Sequence, residues 1–193
     1  GSIESLSVRG IVSVSDSADT TTGGIVGINH GTLINCQFTG VVTGDSEVGG
    51  IVGRTESEGT IDHSTARAIV TGKSSTGGIA GYNLGAITGC TNVGSINTEY
   101  QEASLDTDGF TAKMVDQINN KIAAADDDAT NSVTNVATDT GGIAGRSSGM
   151  ILTSVNTGTV GYEHIGYNVG GIVGRTDGLV SGCINQGRVL GRK

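Results

Sequence analysis

A chain of 193 residues with 34 Gly, no Pro, no Trp, two Phe and four Tyr cannot fill an ordinary two-layer core, which takes its volume from aromatics and Leu. A formal net charge of −8 with no Lys/Arg cluster argues against a nucleic-acid partner, whose phosphates need a basic surface. No apolar run approaches the roughly 18 residues of a membrane span, so membrane insertion is not expected.

The opening Gly1-Ser2 reads as a cloning remnant, and the chain stops within a repeat at Lys193. The sequence therefore reads as an excised piece of a longer protein, with further repeats or domains at both ends, and missing targeting signals carry no information. A five-residue phrase then sets the organisation. Gly23-Gly24-Ile25-Val26-Gly27 returns at Gly49–Gly53, Gly77–Gly81, Gly141–Gly145 and Gly170–Gly174, starting 26, 28, 64 and 29 residues apart. A period in the twenties is the mark of a solenoid, in which one small unit stacks on the next. The predicted fold is all-β, a parallel β-helix of about six coils and about 30 Å in length at the strand spacing, with residues 1–193 forming one domain.

Four columns recur through the coils. Ile25, Ile51, Ile79, Ile143 and Ile172 form the first, and Leu33, Ile61, Ile87, Ile151 and Val180 the second. Cys36, Ser64, Cys90, Ser154 and Cys183 form the third, and Val42, Val70, Ile96, Val160 and Val189 the fourth. Ile3, Leu6 and Val12 fit the last three columns, so residues 2–22 make most of an additional coil. Each coil is expected to have three short inward-facing stretches separated by Gly-rich corners, where Gly supplies φ > 0 or close backbone approach. A Cys/Ser column suits a small interior position. Cys36 and Cys90 have a coil between them, as do Cys90 and Cys183, which places their Cα atoms about 9–10 Å apart and beyond disulfide reach. Asn92, Asn156 and Asn185 share a place in three coils and are expected to hydrogen-bond as a ladder.

The long gap between the third and fourth phrases is one coil plus an insertion, residues 98–138. Phe110, Met114, Val115, Ile118 and Ile122 follow helical spacing there. One amphipathic helix is expected, starting at Asp108 or Thr111 and ending near Ala125, before the helix-opposing run Asp126-Asp127-Asp128.

The pattern Gly-Gly-Ile-Val-Gly, Gly-Thr-Leu, Cys and Gly-Val-Val-Thr-Gly across residues 23–44 resembles the GLUG-type repeats of bacterial surface proteins. Asn83-Leu84-Gly85-Ala86-Ile87 with Cys90-Thr91-Asn92-Val93-Gly94, and Cys183-Ile184-Asn185-Gln186-Gly187, are similar to the same repeats. The likeness covers the chain outside the insertion. It implies an extracellular, cell-surface β-solenoid, of the kind found in adhesins and in non-catalytic parts of surface metallopeptidases, and it supplies no catalytic residues.

The residues themselves offer little chemistry. Two His four apart with an adjacent Glu, the zinc-protease spacing, do not occur. His30, His63 and His164 fall in three coils and three columns. Asp106-Thr107-Asp108-Gly109 opens like a calcium loop, but Thr111 and Gln117 stand where Gly and Glu are needed. No catalytic residue, metal or cofactor is expected. Two surface features remain as candidate partner-binding sites. The residue after each phrase gives a column of Ile28, Arg54, Tyr82, Arg146 and Arg175, in which Arg146 and Arg175 fall on successive coils and need Asp177, Glu163 or an anionic ligand between them. The loop 161–168 carries Tyr162, His164 and Tyr167, half of the tyrosines of the chain. Together with Phe110 and Met114 of the insertion, that loop is the expected contact surface.

The expected function is a non-catalytic stalk or adhesion platform of a bacterial surface protein, contacting a host glycan or glycoprotein. The alternatives are an accessory domain of a secreted metallopeptidase and a carbohydrate-active β-helix.

Overall fold

The computed structural model describes residues 1–14, 20–98, 137–162 and 168–191. The chain divides into two compact units, Gly1–Thr98 with Ala137–Lys193, and Glu99–Val136. The second, which carries the expected helix with Phe110 and Met114, lies outside the described residues, as do His164 and Tyr167.

The first unit is a parallel β-solenoid of five complete turns preceded by a partial one. Each turn carries four short strands, shown by Ser46–Gly49, Val52–Thr55, Thr60–Asp62 and Thr65–Thr71. Every strand pairs in parallel with its equivalents one turn away, which builds four sheets along the solenoid axis. The first and second sheets have five strands and the third has six. The fourth has seven, because Thr91–Asn92 and Ser95–Ile96 share one neighbour, Thr65–Thr71. The partial turn, Ser2–Glu4 and Ser7–Ser13, supplies only the third and fourth sheets.

Four strands per turn replace the three expected stretches. The additional strand precedes each phrase, and its inward file is Thr22, Val48, Thr76, Thr140 and Val169. Thr and Val have the same branched shape and stack equally well, so the file is continuous in space and broken in hydropathy.

Like sits over like in the interior. The phrase isoleucines are joined by backbone bonds, with Ile25, Ile51, Ile79 and Ile143 each donating N–H to the next isoleucine's carbonyl at 2.8–3.1 Å. Ile51, Ile79 and Ile143 are fully buried, and each contributes about 2 kcal/mol of apolar burial. Leu33, Ile61, Ile87 and Ile151 are equally enclosed. Ile25 and Ile172, in the outermost turns, are half-buried because one neighbour is missing.

Conformation at the corners divides the work differently from expectation. No glycine of the five phrases has a positive φ; they serve close approach. Left-handed backbone falls instead on Ser5, Asn35, His63, Gly89, Thr153 and Gly182, one file immediately before the Cys/Ser column, with φ between 45° and 64°. A second such file is Glu47, Ser75, Asp139 and Asn168. Each non-Gly member carries about 1 kcal/mol of backbone strain, offset by the ladder bonds to the neighbouring turns.

The cysteines are free. Cys36 N–H and Cys90 N–H donate to the Ser64 and Ser154 hydroxyls of the next turn, at 3.1 and 3.2 Å. A serine turn thus separates each pair of cysteines, as the spacing requires. Burial pushes the Cys90 thiol up to about 12, so at neutral pH it holds almost no thiolate and is chemically inert.

Candidate functional site

The second sheet is built from Val26–Asn29, Val52–Thr55, Ala80–Asn83, Ala144–Ser147 and Val173–Thr176. Its strands alternate in the ordinary way: the residue after Arg54, Tyr82 and Arg146 is buried, while those three side chains face outward and are half-buried. Ladder register then pairs Ile28 with Arg54, Arg54 with Tyr82, Tyr82 with Arg146, and Arg146 with Arg175. The five residues form one outward file with a step of about 4.8 Å.

Tyr82 sits between two guanidiniums. Arg54 Cζ lies 5.1 Å from the ring centroid and Arg146 Cζ 5.0 Å, one from the turn on each side. Each contact is worth about 0.5–1 kcal/mol where water reaches it. The Tyr82 hydroxyl and Ser148 Oγ are 3.2 Å apart and share a hydrogen bond.

The two arginines flanking Tyr82 are not equivalent. Arg54 donates from Nε to Glu56 Oε1 at 2.7 Å and from a terminal nitrogen to Glu47 Oε1 at 3.0 Å. Burial alone would lower its pKa, but the charges of Glu47 and Glu56 outweigh that and raise it. Burial holds the Glu47 carboxyl above the usual carboxylate range, against the opposing pull of Arg54. Glu47 Oε2 is buried without a hydrogen-bond partner. Arg54 and its two carboxylates line a half-open depression of about 440 Å³, together with Thr20, Thr21, Ile28 and Ser46. The sequence pattern did not reveal this pairing. Glu47 stands seven residues before Arg54 and is brought beside it by the Gly-Gly bend and by its own left-handed φ of 46°.

Arg146 and Arg175 have no carboxylate within 4.0 Å among the described residues. Asp177 stands near both. The Ser148 hydroxyl first, and the Arg146 and Arg175 charges after it, hold its carboxyl below the usual range. Asp177 is one of the two carboxylates expected from the sequence, placed to moderate the two cations without clamping either; the other, Glu163, lies outside the described residues. Tyr162 is half-buried beyond the Val160 bridge that continues the fourth sheet. It belongs to a different stretch of the turn from the arginine file.

No group of three or more His, Cys, Asp or Glu able to hold a metal occurs among the described residues. No helix among them is long and apolar enough to cross a membrane. Comparison with protein-family models, curated proteins and solved structures found no match.

Proposed function

We propose that this chain is a non-catalytic interaction module of a bacterial surface protein: a stiff stalk that carries a linear binding face and contacts host glycans or glycoproteins outside the cell. One observation carries the reading. The same register that stacks the core also lines Arg54, Tyr82, Arg146 and Arg175 into a single outward file. Backbone bonds hold Arg54, Tyr82 and Arg146 to the turns on both sides and Arg175 to the turn before it, so the face is pre-organised and little ordering entropy opposes binding. Tyr and Arg are the residue types enriched where protein surfaces recognise partners. The likeness of residues 23–44 to GLUG-type repeats supports a cell-surface setting.

Binding of the intact chain to a glycan array and to immobilised host glycoproteins tests this reading. Saturable micromolar binding is expected, and it is expected to survive replacement of residues 100–136 by a short linker. Absence of binding to every glycan and glycoprotein would overturn the proposal. Loss of binding with that replacement, in a variant that still folds, would move the contact from the arginine file to the insertion.

A further inference from the structure

The arginine file contains one unbalanced step. Arg54 spends its donors on Glu47 and Glu56. Arg146 lies over the Tyr82 ring, and no hydrogen bond or ion pair from its guanidinium occurs among the described residues. Its register partner is Arg175, exposed, on the adjacent strand. Two like charges directly opposite in a ladder repel. Turns carrying Ile28 and Tyr82 show that this position takes an uncharged residue, so the double arginine is not imposed by the coil. Asp177 is near, but forms no ion pair with either arginine.

We infer that Arg146 and Arg175 form one anion subsite, shaped for the carboxylate or sulfate of an acidic polysaccharide lying along the solenoid axis. Two planar forks carried on adjacent strands, whose backbones are about 4.8 Å apart, can embrace a single carboxylate or sulfate, or two successive ones on an extended chain. The surrounding groups choose between sugar and peptide. The Asp177 carboxylate is an acceptor, and the Ser148 hydroxyl, which already donates to Asp177 and is bonded to the Tyr82 hydroxyl, adds only acceptor capacity to the same patch. A uronic acid or sulfated sugar brings an anion together with hydroxyl donors, and so satisfies both kinds of group. An acidic peptide carries its donors on backbone N–H groups, set back from the side-chain carboxylate, and so brings no donor beside the anion to meet Asp177. Both faces of the Tyr82 ring are flanked by guanidiniums, so the sugar is held by charge-assisted hydrogen bonds and not by stacking on that ring. The net charge of −8 opposes long-range attraction of a polyanion, which confines recognition to this local contact.

The inference rests on the glycan-binding reading above, and the test separates the two. Binding of the intact chain would be measured by calorimetry against four probes: hyaluronan oligosaccharide, carrying carboxylates; chondroitin sulfate oligosaccharide, carrying sulfates as well; a neutral glucan oligosaccharide; and oligoglutamate. The expected result is binding to one or both acidic sugars. Arg146→Gln and Arg175→Gln are each expected to weaken it about tenfold, a loss of about 1.4 kcal/mol. Arg67→Gln, on the exposed side of the fourth sheet, makes the same charge change and is expected to leave affinity within about twofold. Preference between hyaluronan and chondroitin sulfate assigns the anion as carboxylate or sulfate. Equal weakening by Arg67→Gln would show bulk charge at work and overturn the inference. Oligoglutamate bound as tightly as the sugars would overturn it as well. Neutral glucan bound equally by wild type and both arginine variants would overturn the subsite while leaving the glycan-binding module standing. No binding of either acidic sugar at millimolar concentration would also overturn it. Urea unfolding curves matching wild type establish that the variants are folded.

Discussion

Gly78→Ala is expected to cost about 4 kcal/mol, enough to unfold much of the solenoid, while Gly27→Ala is expected to cost under about 1 kcal/mol. Both glycines belong to the repeated phrase, and neither has a positive φ. Their surroundings differ. A Cβ on Gly78 would lie 2.3 Å from the Gly142 carbonyl oxygen of the next turn and 2.4 Å from Asn92 Cγ. The first obstacle is backbone, held by parallel ladder bonds on both sides, and cannot swing away. The second is a buried side chain fixed by its own hydrogen bonds. A Cβ on Gly27 would have Thr21 O as its nearest neighbour, at 3.5 Å, an ordinary contact. Urea titration followed by circular dichroism checks the pair. Equal costs at the two positions would show that the phrase needs glycine for chain flexibility and not for close approach.

Asn156→Ala is expected to cost about 3–4 kcal/mol, against under about 1 kcal/mol for Asn185→Ala. Asn156 is fully buried and uses its whole amide. It accepts from Asn92 Nδ2 at 2.8 Å and from Gly158 N–H at 3.1 Å. It donates to Asn185 Oδ1 at 2.7 Å and to the Gly158 carbonyl at 3.1 Å. Truncation strands several of these partners in the buried interior, each at about 1–3 kcal/mol for a buried group, with local relaxation recovering part. Asn185 closes the described ladder at an exposed position, where water replaces the amide. The same interior file explains why apolar residues are tolerated elsewhere. Its earlier members are Val8, Phe38 and Ala66, in register with one another and with Asn92. Phe38 is as buried as Asn156. Each amide of this file has another amide beside it, with Asn92 meeting Ala66 on its other side, and Phe38 lies between Val8 and Ala66. Denaturation curves for the two variants, compared under identical conditions, provide the check.

Much of this architecture is legible in the residues because a fully enclosed position admits one shape. The phrase isoleucines and the Cys/Ser column occupy such positions in the inner turns, and their spacing alone places them one turn apart. Other files are silent for physical reasons. The threonine and valine file of the first sheet conserves shape while changing polarity, so a hydropathy pattern misses it. The left-handed file of Ser5, Asn35, His63, Gly89, Thr153 and Gly182 shares a backbone conformation and no side-chain chemistry. The Asn ladder is visible where it is asparagine and invisible where it becomes Phe38. At the surface, position is legible and partnership is not. The residue after each phrase marks the arginine file, yet the sandwich of Tyr82 and the pairing of Arg54 with Glu47 arise from contacts between turns and across a bend.

Register between successive turns underlies both the core and the arginine file, and paired cysteines read it directly. With Cys36, Cys90 and Cys183 changed to serine, a residue their column already accepts, Thr32→Cys with Thr60→Cys puts thiols on register partners one turn apart. Thr32→Cys with Ala86→Cys puts them two turns apart. Adjacent positions at about 4.8 Å lie within disulfide reach, and positions at about 9.6 Å do not. Under mild oxidation the 32/60 pair is expected to close, with the loss of two hydrogens by mass, while the 32/86 pair stays reduced. Closure of 32/86 in place of 32/60 would contradict the stacking on which the fold and the proposed binding face depend.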